Sequence, residues 1–368
     1  MKIFEKSLQL NTTNIPDELI NGSLFLDIET TGLDARRSHL YLFGCVYREP
    51  AGDDTWHFKQ WLLESPFEER AALREICAFV QKFTRFIHYN GDHFDLPYLD
   101  AHARACDAEL VFLDKPGIDL YKLLRPAKKL LGLPASHQKD FEVFAGIVRD
   151  DKYDGGKLIK VYHDYCVTGS SELLELLLLH NREDVLGMVR LMELKSYADF
   201  VSGKNRPLSQ QARLITISES ELIIEFSCPK GFIKPVTARF DKVGADSRGG
   251  TYLHLEDDAL RLRLPLIRGE MKYFFPRPKD YYYLPREDMA VHKSVAAYVD
   301  KNHRIQSTPE TNYIKKQGVF FPVTSGIFKE TYHAGYGTAP YALWDESLLD
   351  AEHIPCWNRL IDELLTKI

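Results

Sequence analysis

Phe25-Leu26-Asp27-Ile28-Glu29-Thr30-Thr31-Gly32-Leu33 is the stretch on which the reading of this chain turns. The residues leading into it, 23–26, read as a short buried strand. Asp27 and Glu29 stand two positions apart, so an extended backbone turns both carboxylates to one face. Two acids converging at the end of a buried strand forfeit apolar burial and repel each other. A divalent cation relieves both costs, and small hard ions such as Mg2+ prefer carboxylate oxygens. A solvated pair of strand-end acids is the competing reading. Thr30-Thr31-Gly32, a tight turn of small residues, weighs against it.

Composition sets the frame around this motif. A chain of 368 residues has room for two domains, each with its own core. Hydrophobic content of 45% and charged content of 27% place it among globular proteins of the soluble class. No apolar run approaches the roughly 20 residues that span a bilayer, so no membrane partner is expected. Lys2, Glu5 and Lys6 interrupt the N-terminus too early for a signal-peptide core. Cys45, Cys77, Cys106, Cys166, Cys228 and Cys356 show no paired or Cys/His spacing, which fits reduced thiols in the cytoplasm and argues against a zinc site. A net charge of −6 excludes a broad basic surface but leaves room for a local basic groove.

The first half alternates strand and helix patterns. Residues 24–28, 40–47 and 55–60 read as three strands, with turn signals at Gly32-Leu33-Asp34 and Pro50-Ala51-Gly52-Asp53. Such short connections suit antiparallel neighbours. Helical spacing follows over 67–82 after the start signal Ser65-Pro66. A strand at 85–89, a helix at 94–106 and a short strand at 117–119 come next. The longest helical pattern runs over 171–197. This order predicts an α/β domain, a mixed sheet flanked by helices, over residues 1–203. The polar segment 202–207 reads as a linker. Beyond it, period-two alternation at 213–217, 222–226, 235–240, 251–255, 260–264 and 272–275, with helices at 292–299 and 357–367, predicts a β-rich (α+β) domain over 204–368.

Two further acidic segments stand out. Asp95, in Asn90-Gly91-Asp92-His93-Phe94-Asp95, opens a helix whose N-terminus favours an ionised carboxylate. His180 and Asp184, in His180-Asn181-Arg182-Glu183-Asp184, lie four apart on one helix face. Each segment alone also fits ordinary helix surface.

Taken together, Asp27-x-Glu29 after a strand, Asn90-x-x-x-Phe94-Asp95 opening a helix and His180-x-x-x-Asp184 resemble the three exonuclease motifs of the DEDD superfamily. Asp119-Leu120-Tyr121, Arg125-Pro126 and Gly155-Gly156-Lys157-Leu158-Ile159 further resemble the bacterial YprB-like ribonuclease H-like proteins. The resemblance covers roughly residues 22–196. It implies a ribonuclease H-like fold with a mixed five-stranded sheet and a 3′–5′ exonuclease acting on DNA or RNA, most readily at a single-stranded 3′ end. Asp27, Glu29, Asp95 and Asp184 would hold two divalent ions, Mg2+ or Mn2+, for phosphodiester hydrolysis. His180 would handle the attacking water, as histidine titrates near neutrality. It departs from the superfamily pattern, which places a tyrosine four residues before the last aspartate or a histidine five before it. Thr30, Thr31 and Leu33 would contact the terminal nucleotide, and Asn90 and Phe94 the substrate. Core packing is the alternative for Leu33, and turn formation for Asn90. His88 and His93 are reserve candidates for the water-handling role.

In the second half, residues 271–283 interleave aromatics with Lys and Arg, a composition suited to a single-strand surface. Across 261–316 there are 12 Lys and Arg against 6 Asp and Glu, so the segment is basic within an acidic chain. A β hairpin with core aromatics and solvated cations is the alternative. For the whole chain, a non-catalytic nucleic-acid-binding scaffold and a structure-specific endonuclease are the rival functions.

Overall fold

The structure is a computed structural model that describes residues 1–49, 55–109, 111–153, 155–204, 212–241 and 250–367. The expected turn at Pro50–Asp53 and much of the expected linker, from Asn205 on, lie outside the described residues. The chain divides into two compact units, Met1–Asp199 and Phe200–Ile368.

The N-terminal unit is built on one mixed sheet of six strands. They are β1 (Lys2–Leu8), β2 (Ser23–Thr30), β3 (Leu40–Arg48), β4 (Trp56–Leu62), β5 (Arg85–His88) and β6 (Gly117–Asp119). Their order across the sheet is β1-β4-β3-β2-β5-β6. β1 is the strand beyond the five expected: it pairs antiparallel with β4 along seven residues, Lys2↔Leu62 to Leu8↔Trp56. Its charged, mostly exposed sequence carries little of the apolar signal that marks the inner strands. β2 lies in the interior of the sheet, antiparallel to β3 and parallel to β5. All nine residues of β3 are buried.

Helices cover both faces. α1 (Glu69–Val80) and α2 (Asp95–Ala105) carry Leu73, Ile76, Val80, Leu96 and Leu99 into a core shared with Leu24, Leu26, Ile28 and Phe43. α3 (Gln138–Phe144) precedes α4 (Gly155–Thr168) and α5 (Ser171–Leu191). Leu158, Tyr162, Leu177 and Leu178 pack with Tyr41 and Leu42 in a second core. Ser170 starts α5, its hydroxyl accepting the Leu173 N–H at 3.4 Å. The alternation along β2 explains its place. Leu24, Leu26 and Ile28 enter the first core, which leaves Asp27 and Glu29 on the α5 side.

The C-terminal unit is β-rich. β7 (Arg213–Ile217), β8 (Glu221–Ser227), β9 (Val236–Phe240), β10 (Thr251–Glu256) and β11 (Ala259–Pro265) form a sheet in the order β7-β8-β11-β10-β9. β12 (Ile267–Phe274), β13 (Tyr281–Leu284), β14 (Met289–His292), β15 (Ile305–Gln306), β16 (Tyr313–Pro322), β17 (Tyr332–His333) and β18 (Pro340–Leu343) follow, and α6 (Ile354–Leu365) comes last. β12, β16, β18 and β17 close a small barrel, and β14-β13-β15 form a separate sheet. The expected helix over 292–299 is shorter: His292 ends β14, Lys293–Ala296 is helical, and residues 297–299 form a turn. β13 and β16 were not anticipated, because Tyr281-Tyr282-Tyr283 and Tyr313–Pro322 lack clean polar/apolar alternation.

Candidate metal centre

Asp27 sits on β2 directly opposite Gly44 of β3. The missing side chain at Gly44 makes room for Asn181 of α5: a Cβ there would come within 1.8 Å of Asn181 Oδ1. Asn181 uses that space to donate from Nδ2 to Asp27 Oδ2 at 2.9 Å, while its own Oδ1 accepts from Gln60 Nε2 at 2.8 Å. Glycine on one strand and asparagine on a helix therefore fix the first carboxylate.

Asp95, the first residue of α2, is buried and accepts the Ile28 N–H at 3.3 Å, which brings it beside β2. Asp184 and His180 stand one turn apart on α5. His180 is buried, with Nε2 3.5 Å from Glu29 Oε1 and 3.2 Å from Asp184 Oδ2. Tyr41 donates from its hydroxyl to Glu29 Oε2 at 3.5 Å. The structure thus brings Asp27, Glu29, Asp95, His180 and Asp184 to one place from three separate segments.

Electrostatics record the crowding. Burial, then Asp184, Glu29 and Asp95, hold the Asp27 carboxyl well above its usual range, against the Asn181 bond. Burial, then Asp184 and Asp95, do the same for Glu29. Asp95 is pushed up to about 7, chiefly by burial and against its backbone N–H bonds. Acids held this way are a poor fit to an empty site and a good fit to a divalent ion, whose charge would replace the mutual repulsion. Glu29, His180 and Asp184 each point one ligand atom inward, all within 4.8 Å of one another.

Three residues at this site were not singled out from the sequence. Asn181 was passed over although it adjoins His180. Arg149 reaches Asp184 Oδ1 at 2.7 Å and Glu142 Oε2 at 3.1 Å, so Glu142 is half of a buried ion pair. Asp151 Oδ2 lies 2.8 Å from His180 Nδ1. Burial pushes the Asp151 carboxyl up, but the Tyr153 N–H and His180 outweigh it and hold it below the usual range. Arg149 and Asp151 belong to a loop without periodicity, so no sequence pattern points to them.

The remaining expected positions have other contacts. Thr30 Oγ1 donates to Gly32 O at 2.9 Å, and Thr31 Oγ1 accepts the His39 N–H at 3.0 Å, so both hydroxyls shape the turn. Leu33 is 84% exposed, which removes core packing as its role. Asn90 is exposed with a left-handed φ of 62° and donates its N–H to Asp119 Oδ1 at 2.9 Å, a turn-forming role. Phe94 is half-buried against Tyr98. Lys122 pairs with Asp92 at 2.6 Å.

The sheet order, the position of Asp27 and Glu29 within it and the helices on both faces define a ribonuclease H-like fold. In agreement, the family model RNase_H_2, described as RNase_H superfamily, matches residues 24–195. Among solved structures the chain is similar to the family B DNA polymerase of the hyperthermophilic archaeon Pyrobaculum calidifontis. That match has 12% identity and a TM-score of 0.38, covering 72% of this chain and 38% of that one. It is also similar to E. coli exonuclease I in complex with a dT13 oligonucleotide, at 13% identity and a TM-score of 0.33, covering 58% of this chain and 54% of that one. The chain therefore spans well under two thirds of either protein. No curated protein sequence matches it. Among the described residues no helix is long and apolar enough to cross a membrane.

Proposed function

We propose that this protein is a divalent-metal-dependent nuclease, and more narrowly a 3′–5′ exonuclease that hydrolyses phosphodiester bonds at single-stranded ends of DNA or RNA. The observation that carries this reading is the convergence of Asp27, Glu29, Asp95 and Asp184, where burial, and after it the neighbouring acids, raises three of their carboxyls. Mg2+ or Mn2+ held by these four side chains would supply an activated water and neutralise charge on the phosphoryl and leaving oxygens. The chain's own part is to hold the ligands still. Asn181 orients Asp27, the Ile28 N–H orients Asp95, and Arg149 holds one oxygen of Asp184. The turn after Glu29 carries Leu33, an exposed apolar side chain suited to contact with a terminal base.

Within the superfamily, the Gly155-Gly156 segment supports a place beside the YprB-like proteins: Gly155 lies against Glu29, with a Cβ position 3.9 Å from Glu29 Oε2. In the C-terminal unit, half-buried Phe275 stacks on Tyr281 at 4.6 Å, and Tyr282 carries Lys293 and Arg304 over its ring at 5.2 and 4.9 Å. Rings flanked by cations support a strand-binding role for that unit. Six free thiols support action in a reducing compartment, the cytoplasm.

The deciding experiment offers purified protein single-stranded DNA and RNA oligonucleotides labelled at either end, with Mg2+ or Mn2+. Release of the 3′ label as mononucleotide, and a ladder from the 5′-labelled strand, is the expected result, abolished by EDTA. Binding without cleavage would replace the enzyme with a non-catalytic binding protein. Cleavage confined to branched or junction substrates would replace it with an endonuclease.

A further inference from the structure

We infer that His180 Nε2 is itself a ligand of the divalent ion, together with Glu29 and Asp184, and that Asp151 fixes the ring for that task. The inference rests on the metal-centre reading above and changes the part that the imidazole plays in it.

The ring is buried, so its two nitrogens must be satisfied from within the protein. On one side, Asp151 Oδ2 faces Nδ1 at 2.8 Å. The same oxygen receives Lys139 Nζ at 3.2 Å, and Oδ1 accepts the Tyr153 N–H at 2.9 Å. A carboxylate engaged with that many donors is itself an acceptor, so Nδ1 carries the ring hydrogen and Nε2 keeps its lone pair. The loop bearing Asp151 is pinned for this contact. Glu183, on the same helix as His180, accepts the backbone N–H groups of Asp150 and Asp151, each at 3.0 Å.

On the other side, Nε2 faces Asp184 Oδ2 at 3.2 Å and Glu29 Oε1 at 3.5 Å. Nε2 and one oxygen each of Glu29 and Asp184 then lie within 4.8 Å of one another, close enough to share one ion. Ligands about 2.1 Å from one ion, at right angles to each other, lie roughly 3 Å apart, close to these separations. An outer carboxylate on the far nitrogen is the usual device that orients an imidazole ligand and raises its basicity. Arg149 occupies the other Asp184 oxygen, so Oδ2 is the one left for the ion. An imidazole in the ligand set favours Mn2+ over Mg2+, which prefers oxygen and retains water.

The test uses the full chain with Mn2+ as the probe. Electron spin-echo spectra of bound Mn2+ are expected to show modulation from a directly coordinated nitrogen. His180→Gln is expected to bind Mn2+ roughly ten-fold more weakly with that modulation gone, while Mg2+ affinity falls less. Asp151→Asn, which leaves His180 in place, is expected to weaken Mn2+ by no more than the roughly ten-fold of His180→Gln and to diminish the modulation. Should either variant fail to fold, the wild-type spectrum decides by itself. Bound Mn2+ without nitrogen modulation overturns the assignment while leaving the metal centre intact; His180 is then a water-handling group or an imidazolium bridging the two acids. Absence of any Mn2+ binding overturns the metal centre as well.

Discussion

Two histidine–carboxylate clusters in the N-terminal unit contain the same kinds of residue and differ in what those residues already do. Glu29, His180 and Asp184 form one; His88, Asp92 and Asp119 form the other, and in each the ligand atoms lie within 4.8 Å of one another. At the second, His88 Nδ1 accepts the Gly91 N–H at 3.1 Å, which places the ring hydrogen on Nε2, 3.4 Å from Asp92 Oδ1. The lone pair that an ion would need is already in use. Burial, outweighing Asp119 and Asp92, also holds the His88 imidazole below its ordinary range, so the ring stays neutral. Asp92 is paired with Lys122, and Asp119 Oδ1 accepts the N–H groups of Asn90 and Tyr121. Among the described residues, His88 Nε2 and Asp119 Oδ2 have no hydrogen-bond partner. At the first cluster the ring is turned the opposite way, with its hydrogen spent on Asp151. Residue type and proximity are therefore alike at the proposed metal centre and at the braced turn; the direction of the ring hydrogen is what differs.

The largest expected contrast is in catalysis. Asp27→Ala or Asp184→Asn should lower metal-dependent cleavage on the order of a thousand-fold or more, as for loss of other charge-stabilising groups. Asp92→Asn should leave it close to wild type. Initial rates on an end-labelled oligonucleotide measure both, and an active Asp184→Asn would remove the site assignment.

A second contrast uses glycine. Gly44→Ala drives a methyl into Asn181, so Asn181 must leave Asp27 and Gln60. A fall of about 1–3 kcal/mol in stability is expected, with weakened Mn2+ binding. At Gly117, beside the other cluster, the added Cβ would stand 3.2 Å from His88 Nε2, which a small ring shift accommodates. Denaturant unfolding and Mn2+ titration of the two variants should separate them clearly.

A third contrast is in pH. The folded Asp95 carboxyl, raised to about 7, lies above its unfolded value near 4. The native state therefore binds that proton more tightly, and the stability it contributes is full below about pH 4 and lost as pH rises through about 7. In EDTA the protein should lose a few kcal/mol between pH 5 and pH 7.5, Asp95→Asn should flatten that slope, and saturating Mn2+ should oppose it. Thermal melts across this range, with and without Mn2+, are the measurement.

The sheet was legible where burial writes a pattern. β2 to β6 are apolar runs bounded by Gly, Pro and Asp, and period two set Asp27 and Glu29 on one face. β1 was not legible, since an exposed edge strand such as Lys2–Leu8 needs only backbone pairing with β4 and carries no apolar face. The four acids could be found because each sits at a recognisable element end or helix spacing. Asp151 and Arg149 could not, because the loop that carries them is held by Glu183 and Lys139, contacts between residues distant in sequence. The orientation of His180 belongs to the same class of information: its position on the helix was readable, its partner was not. In the C-terminal unit β8 to β11 alternate cleanly, whereas β13 and β16 carry aromatics on both faces and hide the period.

Asp119→Ala should produce a smaller effect, confined to stability. It removes the acceptor for Tyr121 N–H and Asn90 N–H, and a loss of about 1–2 kcal/mol is expected from the helix cap, with Mn2+ affinity unchanged.

The smallest expected effect puts the comparison under the most strain. Lys122 is the cation resident at the second cluster, and Lys122→Ala removes it without disturbing His88, Asp92 or Asp119. If proximity of two acids and a histidine were sufficient, the variant would gain a second Mn2+ site, visible as a change in titration stoichiometry. The Gly91 N–H still occupies Nδ1 in the variant, so the ring hydrogen remains on Nε2 and faces the space an ion would take. The expected outcome is wild-type stoichiometry and nearly wild-type stability, since an exposed lysine pair contributes little. A gained site would mean that the resident cation alone separates the two clusters, and that ring orientation follows the ion instead of preceding it.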